Sequence, residues 1–124
     1  AMNALNNCVS MKVTTLVETE NGNVDDKSTA DIANQAVSLC DNLIDAAANE
    51  HLSNLKTIAE MPANDPASVK MVADTKRALE TRSFSDWRKF HTNLKIGFAK
   101  TYVRIVADRF KPRPDQEQSG RATN

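Results

Sequence analysis

Residues 8–40 read CVSMKVTTLVETENGNVDDKSTADIANQAVSLC, and the stretch opens and closes on the only two cysteines of the chain, Cys8 and Cys40. The midpoint of the pair is residue 24, inside the polar run Asn21-Gly22-Asn23-Val24-Asp25-Asp26. Before that run, Leu5, Cys8 or Val9, Val13, Leu16 and Val17 recur at helical spacing. After it, Ala33, Val37, Cys40, Ile44 and Ala47 alternate steps of 3 and 4. Asn and Gly tolerate left-handed backbone, so the run predicts a helix stop and a turn. Two helices folded back across that turn carry the thiols at one height on facing surfaces, which predicts an antiparallel helical hairpin. A bridge closing this loop would contribute about 3–4 kcal/mol by constraining the unfolded chain. The other reading is a pair of buried free thiols acting as small hydrophobes; the symmetric placement favours the bridge. No Cys-x-x-Cys is present, so a redox role is not indicated.

Outward from the hairpin, the spacing predicts helices over about 3–19 and 29–61. Ser28 with Asp31 resembles a capping arrangement for the second. Its apolar stripe continues to Leu55 and Ile58, interrupted by His51 and Asn54, which predicts a bend near Ala48-Asn49. At about 1.5 Å per residue that helix reaches about 50 Å, so its far half needs a further partner. Pro62-Ala63-Asn64-Asp65-Pro66 is a connector, with Asp65 as cap and Pro66 at the first helical position. A third helix over about 66–81 turns Val69, Val72, Ala73 and Leu79 inward. Arg82-Ser83-Phe84-Ser85 predicts a corner in which Ser83 or Ser85 caps a last helix over about 85–110; one continuous rod is the alternative. In that last helix Trp87, Phe90, Leu94, Phe98, Tyr102 and Ile105 fall within an arc of roughly 120°. This predicts an aromatic core against the third helix and the far half of the second. Gly97 costs roughly 1 kcal/mol against alanine in mid-helix, which predicts close helix packing or a kink there. Residues 111–124 are polar and proline-broken, which predicts a disordered tail. The expected fold is all-α: one domain over 1–110, a three- or four-helix antiparallel bundle with a disulfide-clamped N-terminal hairpin.

The composition agrees: 124 residues, 40% hydrophobic and 26% charged, with three glycines. No apolar run approaches the roughly 20 residues needed to span a bilayer. The net charge of zero hides a division. Residues 1–65 carry three lysines against ten acids, a net −7, and residues 66–124 carry thirteen Lys or Arg against six acids, a net +7. All six aromatics lie between Phe84 and Phe110. Oppositely charged halves that pack on each other explain this, and a basic half meeting an anionic partner is the sharper reading. Ala1 ahead of Met2 has the look of an added residue, so the chain is expected to begin after a removed export signal; a natural start at Met2 would point to the cytosol.

Cys8, then Ser28-Thr29-Ala30-Asp31-Ile32-Ala33-Asn34-Gln35-Ala36-Val37-Ser38-Leu39-Cys40, resembles small exported helical proteins of bacteria. In those a helical Cys precedes a polar turn, a Ser/Ala-rich helix start, an Ile-Ala-x-x-Ala stretch and a second Cys. The resemblance covers roughly residues 5–45. It implies a periplasmic or secreted location and carries no defined activity.

Few residues suggest chemistry. His51 and His91 are the only histidines, and neither has a ligand at i+4, where Leu55 and Lys95 stand, so no metal site is expected. Met61 and Met71 fit packing. Asp41 and Asp45, at i and i+4, suggest a solvated acidic face more than acid–base work. No cofactor is indicated. Lys89, Lys100, Arg104 and Lys111 fall within roughly 40–60° of one another on the last helix and are the candidate anion-binding residues. Asp86 and Asp108 beside them and a pI of about 7.0 make nucleic acid a poor partner. The expected function is a non-enzymatic, exported interaction or structural module of the bacterial envelope, with an unidentified protein partner or a second copy of itself. The alternative is a polyanion- or nucleic-acid-binding module using the basic face of residues 85–110.

Overall fold

The computed structural model describes residues 2–111. Five helices and no strand occur among them: α1 (Met2–Thr19), α2 (Asp26–Leu39), α3 (Asp41–Ala59), α4 (Pro66–Thr81) and α5 (Phe84–Asp108). The bundle therefore has one helix more than the larger of the expected counts. The disordered tail expected for 111–124 falls, apart from Lys111, outside the described residues.

α1 ends in a left-handed pair. Asn21 has φ 54° and Gly22 φ 75°, and the Gly22 and Asn21 amides donate to the Val17 and Glu18 carbonyls at 3.0 and 2.9 Å. This crossed pair of bonds satisfies two carbonyls the helix end leaves open. α2 then starts earlier than expected. Its cap is Asp25, whose carboxylate accepts from the Ser28 amide at 2.8 Å while Ser28 Oγ accepts from the Asp25 amide at 2.8 Å. Ser28 is thus the third residue of a reciprocal cap and not the cap itself. α2 returns along α1, and Cys8 and Cys40 are joined by a disulfide with Cα atoms 6.1 Å apart.

The rod expected over 29–61 is two helices. It breaks at Cys40 (φ −106°, ψ 19°), which closes α2 and opens α3; α3 continues as one helix through Ala48-Asn49. The apolar rhythm continues through Cys40, so periodicity hides the break. The residue is fixed to α1 by its sulfur, and Asp41-Asn42 after it are poor helix formers that favour helix starts. The break turns α3 toward α4. α4 has the expected cap, Asp65 accepting from the Ser68 amide at 2.9 Å, with Pro66 at the first position. α5 is separate from α4 and is capped by Ser83 in a reciprocal arrangement with Asp86, so the continuous-rod alternative does not hold.

The core joins Leu5, Val9, Val13 and Val17 of α1 to Ile32, Ala33, Ala36 and Val37 of α2, Ile44 and Ala47 of α3, and Ala99, Val103, Val106 and Ala107 of α5. α5 packs chiefly on α1 and α2 and less on α3, while α4 packs on α3. The expected aromatic core is overturned. Of the stripe, Trp87 is buried and Tyr102 half-buried, while Phe90, Leu94, Phe98 and Ile105 are exposed. The buried face lies about one residue-step around the helix, along Trp87, His91, Lys95, Ala99 and Val103. The reason is size. The facing surfaces of α1 and α2 are mostly valine and alanine, and Ala99, Val103, Val106 and Ala107 in the second half of α5 let three backbones approach closely where a row of rings would hold them apart. In α4 only Val72 of the four expected inward residues is buried; Val69 and Ala73 are exposed and Leu79 is intermediate. Gly97 is not closely packed: a Cβ built there meets nothing within 4 Å.

Candidate functional site

The two faces of α5 differ in chemistry. Its inner face, toward α3 and α1, buries a polar row. His51 Nδ1 of α3 lies 2.8 Å from His91 Nε2. The rings meet edge to face at 4.9 Å, and Trp87 lies edge-on to His51 at 5.1 Å. One turn on, Lys95 is 5% exposed and its Nζ donates to Asn6 Oδ1 of α1 at 2.6 Å. His91 Nδ1 and Trp87 Nε1 are buried with no hydrogen-bond partner among the described residues. His51 also divides two clefts. One, of about 500 Å³, runs between α3 and α4 and is lined by Leu55, Met71, Asp74 and Trp87. The other, of about 290 Å³, is lined by Met2, Phe90, His91 and Leu94.

The two histidines, 40 positions apart, are therefore partners, which a search for ligands at i+4 does not reveal. The available signal was the i+4 ladder Trp87-His91-Lys95-Ala99-Val103, which marks a second face beside the aromatic one. No group of three or more metal-ligating side chains occurs among the described residues.

The row is electrostatically costly. Burial, followed by the nearby His51 and Lys95, holds the His91 imidazole below its ordinary value, and burial alone lowers the Lys95 ammonium. The histidine bond requires one bare nitrogen, so double protonation breaks it. A base whose folded pKa is lowered binds fewer protons in the folded than in the unfolded chain. Stability is therefore full above the unfolded histidine value of 6.5 and falls as pH drops through it. Unfolding free energy should be lower at pH 5 than at pH 7.5, and His91→Gln should flatten that difference in denaturant titrations. Asp25, Asp65 and Asp86 are held below the usual carboxylate value of 3.8, chiefly by the backbone amides they cap, so their contribution is lost only at more acid pH. Lys95→Met should stabilise the protein by about 1 kcal/mol, because an apolar chain of similar length removes a buried cation, and Asn6 retains access to water. A loss of stability in thermal unfolding would show that the Asn6 bond outweighs the desolvation.

The outer face of α5 is apolar and open. Phe90, Leu94, Phe98 and Ile105 are 46%, 48%, 36% and 46% exposed. The Phe98 ring is held in place: it stacks on Tyr102 at 6.0 Å, and Lys95 Nζ lies 5.8 Å from its centre.

Of the four candidate anion-binding residues, Arg104 and Lys111 come together at one hollow, which Lys89 and Lys100 do not line. Lys89 and Lys111 are about 33 Å apart along the helix direction at 1.5 Å per residue. Arg104 and Lys111 border a hollow that Asp25, Asp26 and Asp108 also line, and Lys111 pairs with Asp108 at 3.1 Å. Asp41 and Asp45 are bound from α5: Arg88 Nε donates to Asp45 at 2.7 Å and its Nη2 to Asp41. The acidic and basic halves thus meet at both ends of α5.

The described residues define an all-α, disulfide-bridged protein of five helices with one apolar helix face uncovered. None of the helices is long and apolar enough to cross a membrane. No protein family's profile, no curated protein and no solved structure matches the chain.

Proposed function

We propose that this chain is a non-enzymatic interaction module that works outside the cytosol, in the bacterial envelope, and holds a protein partner on the outer face of α5. The observation that carries this reading is the exposed row Phe90, Leu94, Phe98 and Ile105. Four large apolar side chains on one face of one helix are more than scattered surface hydrophobes, and such patches mark contact sites. A partner helix or groove would cover them at i, i+4 and i+8 spacing. The Cys8–Cys40 bridge supports an oxidising compartment, and the likeness of residues 5–45 to exported helical proteins supports a bacterial envelope location.

The test is a photoreactive residue in place of Phe98, expressed in the native host, with the same residue at exposed Glu80 of α4 as control. Illumination should give an adduct of discrete mass at 98 and none at 80, in the extracytoplasmic fraction. No adduct at 98 ends the interaction reading, and adducts confined to the cytosol end the location.

A further inference from the structure

We infer that the cleft between α3 and α4 is a binding slot for a neutral, single-chain apolar molecule that ends in a hydrogen-bond-accepting oxygen, an alkyl ketone for example, with that oxygen on Trp87 Nε1. The slot is separate from the outer face of α5 and stands or falls apart from it.

α4 makes the slot. It packs on α3, and of its side chains only Val72 is buried. Ala67, Met71, Thr75 and Ala78 instead line the cleft, together with Leu55 of α3 and Trp87 of α5. Those four stand at i, i+4, i+8 and i+11, which is one face of α4 over about 16 Å. The volume of about 500 Å³ is that of a small-molecule site. A long wall of methyl, thioether and isobutyl groups suits an alkyl chain laid along α4.

The polar atoms of the wall fix the other end of the molecule. Lys70 Nζ donates to Asp74 at 2.8 Å, and Thr75 Oγ1 donates to the Met71 carbonyl at 2.8 Å. His51 Nδ1 is held by His91 Nε2 at 2.8 Å, and its Nε2 is left for either role. Trp87 Nε1 is buried and has no partner among the described residues. An indole N–H only donates, and a buried donor without an acceptor is costly. The partner it lacks is therefore an acceptor. Arg82, just past α4, lies over the Trp87 ring at 5.2 Å. The indole thus marks the C-terminal end of the slot, and the chain runs from there toward Ala67. The charges nearby cancel: Lys70 is bonded to Asp74, and Arg82 is offset by the nearby Asp86. A neutral oxygen fits this end better than a carboxylate, which would lose its water without a cation of its own. Nε1 is covered at its edge, and α4, which buries so little, is the wall that moves aside to admit the oxygen.

Trp87 is the only tryptophan of the chain, so a single indole N–H resonance reports the site. Methyl hexyl ketone titrated into the oxidised full chain should move that proton downfield and saturate. Octylammonium, an alkyl chain with no acceptor, should not move it. Octanoate should bind severalfold more weakly than the ketone. Ala67 is exposed and Ala78 half-buried, so Ala67→Phe and Ala78→Phe fill the two ends of the slot without entering the core. Each should weaken the ketone about tenfold or more by occupying its volume, with the unfolding midpoint little changed. Phe98→Ser, on the outer face of α5, should leave binding as it was. No saturable shift, an equal response to octylammonium, octanoate tighter than the ketone, or binding indifferent to both filling variants overturns the inference. Loss of binding in Phe98→Ser puts the ketone on the outer face of α5 and overturns it as well.

Discussion

Reducing the Cys8–Cys40 bridge is expected to remove about 3–4 kcal/mol of stability, the chain-entropy value for a closed loop of this length. The bridge spans a sequence separation of 32, and Cys40 is fully buried where α2 meets α3. Typical domains hold only about 5–15 kcal/mol in all, so the loss is a large share. Denaturant titrations with and without a reductant measure it directly. A Cys8→Ala/Cys40→Ala variant gives the same comparison free of reductant. A difference below about 1 kcal/mol would mean that the packing of α1 on α2 already restricts the unfolded chain, so that the loop-closure account fails.

Gly22→Ala is expected to cost about 2–3 kcal/mol. Roughly 1–2 kcal/mol arises because alanine at φ 75° brings Cβ against the following carbonyl. The remainder comes from Phe110, whose Cβ and Cγ lie 2.5 Å from where the new methyl would stand. Those atoms are near the backbone and cannot swing aside, so the end of α5 has to shift. Asn21 supplies the internal control. It is also left-handed, at φ 54°, and it is exposed. Asn21→Gly removes a Cβ from a left-handed position away from Phe110, so the stability it gains measures the backbone part, and the excess of the Gly22→Ala cost over that gain in chemical denaturation reports the Phe110 contact. Equal magnitudes would remove the contact from the account.

The hairpin was legible because its signals are local and agree. Asn21-Gly22 can be left-handed, and both cysteines lie on apolar stripes equally far from the turn. The caps Asp65 and Ser83 were legible for the same reason. The break at Cys40 was not, since Val37, Cys40, Ile44 and Ala47 keep their rhythm across it and only the tether to α1 marks the joint. The face of α5 was misassigned by periodicity because two ladders share Trp87. One runs through Phe90, Leu94 and Phe98, the other through His91, Lys95 and Ala99. Hydrophobicity favours the first, but the valine and alanine surfaces of α1 and α2 accept the second. That choice depends on residues some ninety positions away, and the meeting of His51 with His91 follows from it.

The contact between Gly22 and Phe110 ties the first turn to the close of the last helix, with a chronological consequence. During synthesis the two thiols emerge long before Val103, Val106 and Ala107, which cover the same core. The sulfurs are thus open to oxidant while the paired rods still have a bare flank. Wherever oxidant meets the growing chain, covalent closure can precede dehydration of the interior, which waits for the last residues of the final helix.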